Sequence, residues 1–220
     1  MTIGGYSATI FSMGASMDCP VLYTHLNQDT AEAVAELLTD LNIILVALEG
    51  ADWDCDLSPW PAKRAFRSGN DFSGGADAYL RELTEKILPT VEKSFGMLPS
   101  IRMLLGYSLA GLFSLYALYG TALFDSVASV SGSLWYDGFL EFLKANQPVR
   151  QPKRVYFSLG DRESEVKNPR LATVELSTRK AKQLLQSMGS KTVFELNSGN
   201  HFADVPERIA KAIRWLCAEV

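Results

Sequence analysis

Two kinds of run alternate along the chain. Near-continuous apolar stretches, many of them β-branched, fall at 6–11, 20–25, 42–48, 101–107, 124–131, 154–159 and 191–196. Several lack the polar–apolar alternation of a half-exposed strand, as expected for strands buried on both faces. Between them lie segments of helical period. Residues 31–41 follow Asp29-Thr30, which reads as a cap. Residues 77–95 place Tyr79, Leu80, Leu83, Ile87 and Val91 on one face. The stretch 109–120 is apolar nearly all round and predicts a buried helix. Segments 173–188 and 204–220 complete the set, with Pro206 near the start of the second, where proline is tolerated.

Strands alternating with helices predict an α/β fold: a mostly parallel central sheet of about seven strands, covered by helices on both faces. Ligands of such sheets gather at the carboxyl ends of the strands. One stretch breaks the rhythm. Residues 49–75 are rich in Gly, Pro, Ser and Asp, yet carry Trp53, Trp60, Phe66 and Phe72. So long a loop is usually functional or disordered, and the aromatics argue against disorder. Trp53 and Trp60 are therefore candidate pocket walls. Asp52, Asp54 and Asp56 alternate, but Leu57 and Lys63 stand where a calcium loop needs glycine and an acidic residue, so no metal is expected.

Composition narrows the function. At 220 residues one domain spanning 1–220 is expected, and 47% hydrophobic with 21% charged residues excludes a disordered chain. A net charge of -4 with no Lys/Arg block gives no footprint for nucleic acid or an anionic membrane. No run approaches the ~18 apolar residues of a membrane span, and the first residues lack the pattern of a signal peptide. Cys19, Cys55 and Cys217 form no CxxC pair and suit a reducing compartment, which points to the cytoplasm. No GxGxxG or GxxxxGK[ST] supports nucleotide binding. The chain holds two histidines, His25 and His201, so imidazole chemistry must use one of them.

The run ending at residue 105 leads into Gly106-Tyr107-Ser108-Leu109-Ala110-Gly111, and an apolar helix follows at once. This strand–turn–helix context is what a nucleophile elbow requires. Small residues, Gly106 and Ala110, stand two before and two after Ser108; the usual pattern has glycine at the second place. The turn would lift the Ser108 hydroxyl above the sheet edge at a helix N-terminus, with the Leu109 N–H as an oxyanion donor. Serine needs an adjacent base. His201, in the loop after the last strand, stands third in the order Ser, acid, His. His25 precedes Ser108 and reads as structural support for the loop it opens, whose Leu26 and Asn27 are candidates for the second oxyanion N–H. The acid should follow the strand at 154–159, where Gly160 is followed by Asp161, Glu163 and Glu165. The position three after that glycine favours Glu163, with Asp161 as fallback and Glu165 third. Tyr107, beside the nucleophile, and Trp135, in Ser131-Gly132-Ser133-Leu134-Trp135 after another strand, are further candidates for the substrate pocket.

Taken together, the segments at 20–25, 106–118, 131–135, 156–163 and 199–202 make the chain resemble the α/β-hydrolase superfamily. More narrowly, it resembles the esterase branch with esterase D-like and siderophore-esterase-like enzymes. The resemblance implies an α/β-hydrolase fold and a Ser108–Glu163–His201 triad that hydrolyses carboxylic esters of small molecules without a cofactor. Thioester, amide or acyl-transfer chemistry would use the same triad, and a non-catalytic binding relative would lack a member of it. Two departures carry expectations. The loop after the early strand reads HLNQD, without the glycine seen in many relatives. The N-terminus is expected to lack the first edge strand or hairpin, and no insertion is large enough for a cap domain. An open pocket walled mainly by 49–75 is then expected.

Overall fold

The computed structural model describes residues 1–14, 19–65 and 69–218; Phe66 of the long aromatic stretch lies outside them. The chain opens with β1 (Thr2–Ile3), β2 (Tyr6–Ser12) and β3 (Val21–Thr24), followed by α1 (Gln28–Glu36) and β4 (Ile44–Glu49). A short α2 (Trp53–Asp56) and a ribbon of β5 (Pro61–Ala62) and β6 (Phe72–Ser73) occupy the segment expected as loop. Then come α3 (Ala76–Glu82), a π-helical turn at Leu83–Ile87 and α4 (Leu88–Ser94). The remainder alternates: β7 (Arg102–Tyr107), α5 (Leu109–Ala117), β8 (Ser126–Val130), α6 (Phe139–Ala145), β9 (Arg154–Gly160), α7 (Val174–Ser187), β10 (Lys191–Asn197) and α8 (Val205–Cys217).

Eight of these strands make one sheet in the order β1-β2-β4-β3-β7-β8-β9-β10. From β4 to β10 all pairings are parallel; β2 is antiparallel to β4, and β1 to β2. The architecture is the expected α/β-hydrolase fold, with eight strands rather than about seven. Contrary to the expectation of a missing hairpin, the N-terminus supplies one at the sheet edge, β1–β2. Its turn is Gly4-Gly5, both at positive φ (55° and 98°), the backbone that a two-residue hairpin loop needs. A two-residue β1 leaves no periodic signal of its own.

The strands explain the two-sided core. In β7, Met103, Leu105 and Tyr107 pack with the apolar faces of α1 and α8, while Leu104 faces the cluster containing α3, α4 and α5. Both layers are buried and largely apolar, so neither face of the central strands shows the alternation of a half-exposed sheet. The helix α1 is capped by Asn27, whose side chain accepts from the Thr30 N–H, and not by Asp29-Thr30. The π-turn stands just ahead of Pro89, which has no N–H to give the helix ladder. Among the described residues, no helix is long and apolar enough to cross a membrane.

Candidate active site

Ser108 sits at φ 59°, ψ -122° between β7 and α5. A non-glycine residue at positive φ is strained by about 1–3 kcal/mol, so its neighbours must fix it. Its N–H donates to the Val130 carbonyl at 3.0 Å, and its own carbonyl accepts from the N–H groups of Gly111 and Ser133. A Cβ at Gly106 would lie 1.9 Å from the Ala110 carbonyl oxygen, so only glycine fits there. The methyl of Ala110, by contrast, is accommodated and fully buried.

His201 is carried by the loop after β10. Its Nε2 lies 3.1 Å from Ser108 Oγ and its Nδ1 lies 2.7 Å from Glu163 Oε2. The other carboxylate oxygen, Oε1, accepts from the Gly160 N–H at 2.6 Å and from Ser131 Oγ at 2.7 Å. Burial alone would raise the Glu163 carboxyl; the hydrogen bonds with His201 and Gly160 outweigh it and hold the group below its usual range. Asp161 is exposed and accepts from the Gly199 N–H at 2.9 Å, so it shapes the loop that carries His201. Glu165 is exposed. Of the three carboxylates, Glu163 is the one against the imidazole.

The second histidine belongs to a different environment. His25 is buried, with Nε2 2.8 Å from the Tyr79 hydroxyl and its ring edge-on to Phe113. Burial pushes its pKa down to about 4. Leu26 follows in the core beside Tyr107, and the Asn27 side chain is occupied by the α1 cap. Thr24 is level with Leu105 across the β3–β7 pair, so the loop of Leu26 and Asn27 leaves the sheet beside the Ser108 turn.

A cavity of about 160 Å³ opens on Ser108 and His201. Its walls are Trp135 with Val166, Leu171, Val174 and Phe202. Trp135, a candidate from the sequence, is among these walls. Trp53 and Trp60 are not among the walls, and no described residue of 49–75 is. Trp53 lies in α2 and is exposed. Trp60 is turned toward α6, ring to ring with Phe139 and Phe142, and its Nε1 donates to the Asp137 carbonyl. The segment instead braces the walls from behind, through Phe72 against Trp135 and through Asn168 and Arg170, which donate to the carbonyls of Ala65 and Lys63. Tyr107 does not face the cavity either; its hydroxyl donates to the His201 carbonyl and pins that loop. Asp52 caps α2 by accepting from the Asp54 and Cys55 N–H groups, which accounts for the first of the alternating aspartates.

Sequence reading missed Ser131, held at φ 47° after β8, and Arg208 of α8, which is buried behind Glu163. Arg208 had a signal: it stands four residues before Ala212 on the apolar stripe of α8, an anomalous place for a charge. The walls from 166 to 174 gave none, because the connection is polar and irregular.

A family model described as "Putative esterase" matches residues 23–215. The chain belongs to that family. It is therefore a hydrolase acting on esters. Uncharacterized protein YbbA of Bacillus subtilis (strain 168) is 26% identical over 185 residues, covering 79% of this chain and 73% of that protein. The IroE-like serine hydrolase from Shewanella oneidensis superimposes with a TM-score of 0.79 at 19% identity, covering 97% of this chain and 75% of that one. The siderophore hydrolase EstA of Aspergillus nidulans gives a TM-score of 0.74 at 19% identity, covering 99% and 96%. These structures share the esterase's fold.

Proposed function

We propose that the chain is a serine hydrolase that cleaves carboxylic esters through Ser108, His201 and Glu163. The observation that carries this reading is the unbroken contact series from Ser108 Oγ through both ring nitrogens of His201 to Glu163. His201 Nε2 takes the hydroxyl proton as Ser108 Oγ attacks the ester carbonyl. The tetrahedral oxyanion is held by the Leu109 N–H, which has no intrahelical acceptor at the first position of α5. The second N–H comes from Leu26 or Asn27. Collapse breaks the carbonyl–alkoxy bond, and the proton on His201 leaves with the alcohol. Water then attacks the acyl-enzyme, giving its proton to His201, which returns it to Ser108 as the acid departs. Glu163 stabilises the imidazolium throughout and stays ionised. No cofactor enters this cycle.

The cavity bears on substrate class. Its volume is close to that of one aromatic ring or a short branched chain. Its described walls carry no Lys or Arg, and Glu163 spends its charge on His201 and its neighbours. The substrate we infer is a small neutral ester whose acyl or alkoxy group is ring-sized. Labelling of Ser108 by a fluorophosphonate probe, together with hydrolysis of p-nitrophenyl esters of increasing acyl length, tests the reading. Thioester and amide analogues in the same panel separate esterase from other acyl hydrolase activity. Absence of labelling in folded protein would reject it.

A further inference from the structure

Arg208 is 1% exposed and heads the largest fully buried side chains of the described protein. Arginine is almost never fully buried unless it is paired. Its Nη2 donates to the Ser198 carbonyl at 2.8 Å, in the loop that carries His201. Its Nη1 lies 3.4 Å from both Glu163 Oε1 and Ser131 Oγ. Among the described residues, Glu163 is the one carboxylate within ion-pair distance of it. Room for the guanidinium is left by Gly160, where a Cβ would lie 2.9 Å from Nη2. A helix needing only an apolar face would carry Leu or Met at this place, since a buried cation is costly to desolvate.

We propose that Arg208 is a positioning residue for ester hydrolysis: its guanidinium ties the Glu163 carboxylate to the Ser198 carbonyl, so that acid and imidazole are held in one arrangement behind Ser108. This rests on the serine-hydrolase reading above. Arg208 faces Glu163 from α8, His201 from the loop after β10 and Ser131 from the end of β8. Tyr107, from β7, donates to the His201 carbonyl, and Asp161 and Glu165 on the segment of Glu163 are exposed. Arg208 is therefore the permanent positive charge at the back of the pair. Without it, the Glu163 carboxylate loses the fixed positive charge that lies 3.4 Å from its Oε1. The reactive form needs Glu163 ionised and His201 neutral.

The test compares Arg208→Met and Arg208→Lys, with active sites counted by fluorophosphonate labelling so that misfolded protein is excluded. In Arg208→Met, kcat per labelled site should fall about 10- to 100-fold, and the acidic limb of kcat/KM should move up by about one pH unit. In Arg208→Lys the limb should stay near its original position while kcat falls, because an ammonium keeps the charge but cannot span two acceptors as a fork does. Arg208→Met with the original limb and kcat per labelled site would reduce Arg208 to packing and overturn the proposal. If Arg208→Met does not fold, full kcat in Arg208→Lys overturns it instead. Failure of wild-type protein to label at Ser108 would strike the parent reading, independently of either variant.

Discussion

His201 Nδ1 stands 2.7 Å from Glu163 Oε2 although the two residues are 38 positions apart. The carboxylate can hold only this one orientation, because its other oxygen is taken by the Gly160 N–H and the Ser131 hydroxyl. Each fixed bond removes rotamer freedom before a substrate arrives, so the imidazole is oriented without reorganisation.

Glu163→Gln preserves shape but replaces the acceptor with a neutral amide, which favours the wrong imidazole tautomer. Its kcat on a short-chain aryl ester should fall about 10³- to 10⁴-fold. Asp161→Asn disturbs a bond to Gly199 alone and should cost about tenfold or less. Steady-state kinetics of the two variants decides between them, and the reverse ranking would transfer the acid role to Asp161.

Ser108→Ala should lose about 10³-fold or more in turnover while melting close to wild type. Ser108→Gly should be equally inactive but more stable. Relief of strain at φ 59° is worth about 1–3 kcal/mol, against roughly 0.5–1 kcal/mol for the added freedom of glycine in the unfolded chain. A higher denaturant midpoint at unchanged slope is the expected result; a lower one would mean that the elbow stores no strain.

Acid should destabilise the protein in two windows. His25 is buried with a pKa near 4, below the ordinary 6.5. The unfolded chain binds that proton first, so stability falls as pH drops from about 6.5 to about 4, by roughly 3 kcal/mol at most. Glu163 is also depressed, from 4.5; its contribution is complete above 4.5 and is lost as pH falls through the lower folded value. Thermal melts between pH 7 and pH 3 measure both. His25→Gln, which can still bond Tyr79, should flatten the upper window only, and a slope unchanged by that variant would clear His25.

The two tryptophans should separate by readout. Trp135→Ala enlarges the cavity and should shift the p-nitrophenyl ester preference toward longer acyl chains by about tenfold or more. Trp60→Ala should leave that preference alone and cost about 2 kcal/mol of stability, since its ring packs on Phe139 and Phe142 away from the cavity. Equal shifts in acyl preference would mean that the ribbon segment lines the pocket after all.

Much of this molecule was legible in the chain. Seven of the eight sheet strands left apolar runs, five of them because they are buried nearly throughout while β2 and β10 are half-buried, and Gly106, Ser108 and Ala110 announced their turn by steric necessity alone. Scarcity helped too: with two histidines, position after the last strand singled out His201. Spacing after Gly160 favoured Glu163 over Asp161 and Glu165, but loop spacing does not show which side chain turns inward. Only the tertiary structure decided that, through the Gly160 N–H and the Ser131 hydroxyl, which come from different strand ends and fit one carboxylate between them. It likewise turned Trp60 toward α6, set Tyr107 against the His201 loop and buried Arg208 behind Glu163. Local pattern records which backbone a residue prefers and whether it is buried. Which groups meet depends on strands far apart in sequence being brought level in one sheet, and that is settled only when all of them pack.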